Sequence, residues 1–158
     1  MTYAVELPAE GPADWAAWSA DLAQRIRTLA HDDDVVVSLP SVSRPHLVRQ
    51  SRLFGIIPGA HEDTSPWVRV RRHEHHAVAE LVGSENFGGE YLLSEDEEKQ
   101  IGALGWHRPG HDPIEDRVWS RWFPDDVAQQ SYLSAADATS AADLLTRTLR
   151  DVLVDVQR

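Results

Sequence analysis

The sequence predicts an α+β domain in which helices cover an antiparallel sheet of about five strands. Three observations carry this: an amphipathic helix precedes a run of short β-branched segments, a capped helix interrupts them at Ser94, and an apolar stripe near the end of the chain marks a long closing helix. Strands and helices that do not alternate strictly point to a sheet covered by helices, not to a doubly wound nucleotide-binding fold. No repeat or low-complexity tract divides the chain. Its 158 residues suit one ordinary domain with a real hydrophobic core, so residues 1–158 are read as a single unit.

Residues 1–11 read as a loosely held leader. Gly11-Pro12 and Asp14 then supply start signals for a helix to about Ala30, with Trp15, Trp18, Leu22, Ile26 and Leu29 on its apolar face at spacings of three and four. The run His31-Asp32-Asp33-Asp34 stops it. Val35 to Leu39 reads as a strand ended by Pro40, Ser41 to Pro45 as a turn, and Leu47 to Phe54 as a second strand with polar Arg49, Gln50, Ser51 and Arg52 between apolar ends. Ile56 to Pro66, with two prolines, Gly59 and the pair Glu62-Asp63, reads as a loop. Trp67 to Arg71 alternates cleanly, Arg72 to His75 makes a polar turn, and His76 to Val82 pairs back as a hairpin.

Ser84 to Gly89 is loop, and Ser94-Glu95-Asp96-Glu97 is a capping box that starts the next helix. Ile101 and Leu104 face the core, Gly105 supplies the left-handed residue that ends the helix, and Trp106 folds back on its last turn. His107 to Asp116 is a connector rich in Pro and Gly, leading to a strand near Arg117 to Phe123. Ser134 opens the last helix, whose stripe of Leu145, Leu149, Val152 and Val156 extends to about Gln157. The order is helix, three or four strands, short helix, one or two strands, long helix.

Composition removes several functions. A net charge of -11 repels nucleic acid phosphate and anionic membrane surfaces, and the strongest basic patch, Arg69, Arg71 and Arg72, reads as a solvated strand face. Without cysteine there is no disulfide or thiolate chemistry. No apolar run approaches a spanning helix, and Met1 to Pro8 lacks the pattern of a signal peptide, so a cytoplasmic protein is expected. Catalysis finds no support: there is no G-x-S-x-G elbow, the acids gather in runs such as Asp32 to Asp34 and Glu95 to Glu98, and His107 and His111 lie in a Pro/Gly loop. Glu80, a strand-end carboxylate, reads as half of a structural ion pair.

These segments together resemble the type III secretion chaperone-like superfamily, and within it the YbjN-like TY-Chap peptide-binding chaperones known from actinobacteria. The resemblance rests on Trp15, on Ala79-Glu80 at a strand end, on Asn86, on Leu92 to Leu104, on Leu104-Gly105-Trp106 with Pro109, and on Leu149-Arg150-Asp151-Val152. It implies the order α-β-β-β-α-β-β-α, no enzymatic activity and capture of a protein or peptide client, often by a homodimer, without cofactor. Arg49 to Arg52 and His73 to His76 depart from the family pattern.

Binding of an unfolded segment needs exposed apolar or aromatic surface and an available groove or strand edge. Leu47, Phe54, Trp67, Arg69, Trp119 and Trp122 are the candidate peptide-binding residues, since they lie on the less regular strands, and Trp119 and Trp122 occupy opposite faces of theirs. The alternative is a metal site or metal-dependent enzyme on His73, His75 and His76, with His46, His61, His107 and His111 as further donors. On a continuous strand His73 and His75 point together and His76 points away, and no H-E-x-x-H occurs, which favours a polar hairpin turn. A third reading is a structural subunit of an obligate complex.

Overall fold

The computed structural model describes residues 1–49, 60–110 and 117–154, without the side chains at 47–49, 60 and 61. Strand β1 (Thr2–Glu6) is followed by helix α1 (Trp15–Thr28), β2 (Asp34–Ser38), β3 (Arg44–Arg49), β4 (Ala60–Thr64), β5 (Trp67–His73), β6 (His76–Leu81), α2 (Glu95–Leu104), β7 (Trp119–Phe123) and α3 (Ala135–Arg147). A single 3-10 turn lies at Glu85–Phe87, and α3 runs on through wider π-type turns over Thr148–Val154. Five strands form one sheet in the order β1-β2-β5-β6-β7, while β3 and β4 make a separate two-stranded ribbon.

The helices begin where local chemistry starts them. The Asp14 carboxylate accepts from the N–H groups of Ala16 and Ala17 at 3.0 and 3.1 Å, and Ser134 caps α3 by accepting from Asp137 N–H at 3.1 Å. At α2 the box is reciprocal: Glu97 N–H donates to Ser94 Oγ at 3.2 Å and Ser94 N–H donates to Glu97 Oε1 at 2.9 Å. Gly105 ends α2 with φ 110°, a conformation costly for any residue with a Cβ.

Register divides the sheet into two faces. Val35, Val37, Val68, Val70, Ala79, Leu81 and Trp119 stand opposite one another across the strands and share one core with Leu22 and Ile26 of α1 and Ala141, Leu145 and Leu149 of the C-terminal helix. The opposite face carries Asp34 and Val36 from β2, Trp67, Arg69, Arg71 and His73 from β5, His76, Val78 and Glu80 from β6, and Ser120 and Trp122 from β7.

Four expectations are corrected. Thr2–Glu6 is not a loose leader but an edge strand, and its pairing with β2 is parallel, so the sheet is only mostly antiparallel. Ala60–Thr64 is strand rather than loop, because pairing with β3 supplies the partners that its polar side chains do not announce. The expected turn at Ser41 to Pro45 gives way early, with β3 starting at Arg44. Among the described residues one strand, β7, follows α2, so the order α-β-β-β-α-β-β-α is matched only in part.

Candidate functional site

Trp67, Arg69 and Trp122 lie together on the sheet face opposite α1 and α3. At its centre Glu80 is fully buried, with Arg69 Nη2 donating to Oε2 and Arg71 Nη2 lying 3.7 Å from Oε1. Arg69 also stands 5.4 Å from the Trp67 ring centroid and 4.0 Å from Asp34. This bears out the reading of Glu80 as an ion-pair residue, and it commits both guanidiniums within the fold. Trp67, half-buried, packs against the core. Leu47 sits on β3 opposite His61, its side chain outside the described set, and Phe54 lies outside the described residues.

The histidines do not gather as a continuous strand would place them. The turn at Glu74, with φ 53°, reverses the chain so that His73 pairs directly with His76 on one face. Both rings flank Trp122, at centroid distances of 5.6 and 5.4 Å. The group that converges with His73 is His31 and Asp32, with donor atoms within 4.8 Å of one another, and His75 is not in it. Glu74 N–H donates to His31 Nδ1 at 2.9 Å, so the imidazole proton sits on Nε2, 3.3 Å from an Asp32 carboxylate oxygen. In that tautomer Nε2 has no lone pair for a metal.

Trp119 lies on the other face, 1% exposed, at the floor of a groove of about 760 Å³ between α2 and the connector to β7. Its Nε1–H donates to Ser84 Oγ at 2.9 Å, and the neighbouring Trp106 donates Nε1–H to Thr148 Oγ1 at 2.8 Å. With both donors consumed, the two indoles give the groove hydrocarbon. Phe87 meets Trp119 edge-on at 5.9 Å and is 36% exposed. Glu95, Glu98, Lys99 and Arg108 form a charged rim. Gly102 opens the helix side of the groove: a Cβ there meets nothing within 4 Å.

Three segments had to be brought together to make this groove. Gly83 and Gly89 cross backbone on backbone, since a Cβ at Gly83 would fall 1.7 Å from Arg117 O and one at Gly89 would fall 2.2 Å from Gly83. The helix itself is strapped to the ribbon by Arg44, which donates from Nη1 and Nη2 to the two Glu97 oxygens at 2.7 and 2.9 Å and from Nη1 to Leu92 O at 2.6 Å. Burial pushes Glu97 up, but the Arg44 guanidinium and the Ser94 N–H outweigh it and hold the carboxyl below its ordinary value. Beside them Tyr91 is pushed up to about 12 by burial, partly opposed by Arg44, and its hydroxyl donates to Val42 O at 3.1 Å.

Sequence reasoning missed Phe87, Gly102 and Arg108 as groove residues. The available signals were an aromatic in a Gly-rich loop and a glycine inside an otherwise well-capped helix, which is destabilising there unless something needs the space.

Residues 8–157 match the model of a family described as T3SS (YopN, CesT) and YbjN peptide-binding chaperone 3, TY-Chap3. No curated protein and no solved structure matches the chain.

Proposed function

The chain belongs to this family of peptide-binding chaperones, and from that premise we propose that it captures a short segment of a client protein in the groove beside α2. The role is binding without catalysis, in the cytoplasm, with no cofactor. One observation carries the choice of site: an aromatic floor whose polar atoms are already bonded inward lies beside a helix that presents bare backbone at Gly102. A volume near 760 Å³ falls in the range of roughly 300–1,000 Å³ that accommodates compact ligands, which suits the anchor side chains of an extended or partly helical segment. The rim, with Glu95 and Glu98 beside Lys99 and Arg108, fits a segment carrying both signs of charge around its apolar anchor.

The face bearing Trp67, Arg69 and Trp122 is less suited. A client carboxylate would have to displace Glu80 from Arg69, leaving a buried anion without its partner.

Selection of a random-peptide display library on the wild-type protein tests the groove. Retained peptides are expected to bind Gly102→Leu at least about tenfold more weakly, because the new side chain occupies the groove. Lys99 is the only lysine in the sequence, so an amine-reactive group on a selected peptide should cross-link there. Peptides that bind both proteins equally and leave Lys99 unmodified would overturn the reading.

A further inference from the structure

The rim of the groove beside α2 is charged in order along the helix. Glu95, Lys99 and Gly102 are separated by four and three residues, so they share one face. At about 1.5 Å of rise per residue, Glu95 lies roughly 10 Å before Gly102 and Lys99 about 4.5 Å before it. Glu98 is already engaged, since Asn86 Nδ2 donates to its Oε1 at 2.9 Å. Past the helix, His107 exchanges backbone hydrogen bonds with Ser120 at 2.9 and 3.1 Å, which fixes the start of the segment that carries Arg108 at the far end of the groove. Lys99 and Arg108 therefore come before and after the bare backbone at Gly102. Among the described residues neither side chain has an ion-pair or hydrogen-bond partner, in a chain where 26 Asp and Glu outnumber 15 Lys and Arg.

We propose that the groove takes the free C-terminus of its client: an apolar last side chain rests on Trp106 and Trp119, and its α-carboxylate lies over Gly102 between Lys99 and Arg108. This deepens the groove assignment and rests on it. The two indoles have spent their N–H groups on Thr148 and Ser84, so polar recognition comes from the rim. The uncommitted rim groups nearest Gly102 are cations, and the group of an unmodified polypeptide that complements them is a carboxylate. Position selects which carboxylate. In an extended segment neighbouring side chains point to opposite sides, and those on one side lie about 6.6 Å apart, so an Asp or Glu next to the anchor aims away from the cations. The α-carboxylate of the anchor residue leaves from the same Cα as its side chain and reaches floor and cations at once. The carbonyls at this end of α2 disfavour an anion; Arg121 Nη1 donates to one of them, Gly105 O, at 2.7 Å, and the two rim cations supply the attraction. Glu95 repels the carboxylate from the opposite end, so the preceding client residues run toward it and a basic residue is favoured there.

The probes are peptides from two random display libraries, one presenting free C-termini and the other tethered through them. The first is expected to yield binders that end in an apolar residue. Each binder is synthesised as the free acid, as the C-terminal amide, and with Gly-Ser added past its end, and binding is read by fluorescence anisotropy. Removing or displacing the charge should weaken binding roughly tenfold, the worth of one charge-assisted hydrogen bond. The acid-to-amide affinity ratio should fall toward one in Lys99→Gln, in Arg108→Gln and with rising salt, whereas a residue that only supports the fold would lower acid and amide alike. Acid and amide that bind equally, with both lost in Gly102→Leu, leave the groove standing and overturn the C-terminal reading. Binders from the tethered library that depend on an internal Asp or Glu, and lose affinity when it becomes Asn or Gln, put that side chain in the carboxylate's place and overturn it as well. Peptides of either kind that ignore Gly102→Leu overturn the groove itself and this proposal with it.

Discussion

Replacing Arg44 by alanine should cost about 3 kcal/mol of stability at neutral pH, a loss worked from three contacts. The guanidinium donates twice to Glu97 and once to Leu92 O, between 2.6 and 2.9 Å. Hydrogen bonds to charged groups contribute roughly 1.5–3 kcal/mol each. The sum is reduced by about 2 kcal/mol of side-chain entropy that the arginine no longer loses, and by solvent screening, since the Arg44 side chain is 20% exposed and that of Glu97 is 8% exposed. Breaking a buried pair from one side typically costs about 3–5 kcal/mol, so about 3 kcal/mol is consistent from both directions. For a chain of this size each kcal/mol moves Tm by roughly 2–4 °C, and the variant should melt about 6–12 °C lower. The pH dependence checks the cause. Glu97 is held below its ordinary value of 4.5, so its contribution is fully present above that value and disappears as pH falls through its folded pKa. Urea unfolding of wild type and Arg44→Ala at neutral pH and at about pH 3 should therefore show the gap closing on acidification. A gap below about 1 kcal/mol at neutral pH, or one that ignores pH, would refute the strap.

Gly102→Ala should stabilise the protein, because the added Cβ meets open space and alanine is favoured over glycine in a helix by about 1 kcal/mol; a thermal scan should show Tm rising by roughly 2–4 °C. Tyr91 should remain a neutral phenol until about pH 12, while Tyr3 and Tyr132 are exposed. Ultraviolet titration should then give a late phase that Tyr91→Phe removes. Its raised pKa stabilises the fold below the unfolded value near 10, and that contribution is lost as pH rises through the folded one. Glu80→Gln should destabilise by about 3–5 kcal/mol in chemical denaturation, since Arg69 and Arg71 lose the anion they share.

What the sequence made legible was what neighbouring residues decide among themselves. The caps at Asp14, Ser94 and Ser134 and the left-handed stop at Gly105 depend on a few adjacent groups, and each stands where the residues place it. β1 and β4 were illegible because their own side chains do not announce a strand: in β1 only Val5 is half-buried, with its partner β2 beyond a helix, and Ala-His-Glu-Asp-Thr becomes strand only against β3. The tight turn at Glu74 decided which histidines meet, and a simple alternation rule could not anticipate it. Of the candidate binding residues, Trp67, Arg69 and Trp122 do share a face, but Trp119 belongs to the core and floors a groove assembled from three separate segments. Such a groove has no spacing to read.

The six tryptophans give the most direct test of where a client binds. Each carries one indole N–H, resolved as a separate resonance in a nitrogen–proton correlation spectrum. Titration with a peptide selected on the wild-type protein should move the resonances of Trp106 and Trp119, the two that line the groove, and leave those of Trp67 and Trp122 in place. Shifts at Trp67 and Trp122 with Trp106 and Trp119 unmoved would put the client on the opposite face of the sheet and contradict the groove.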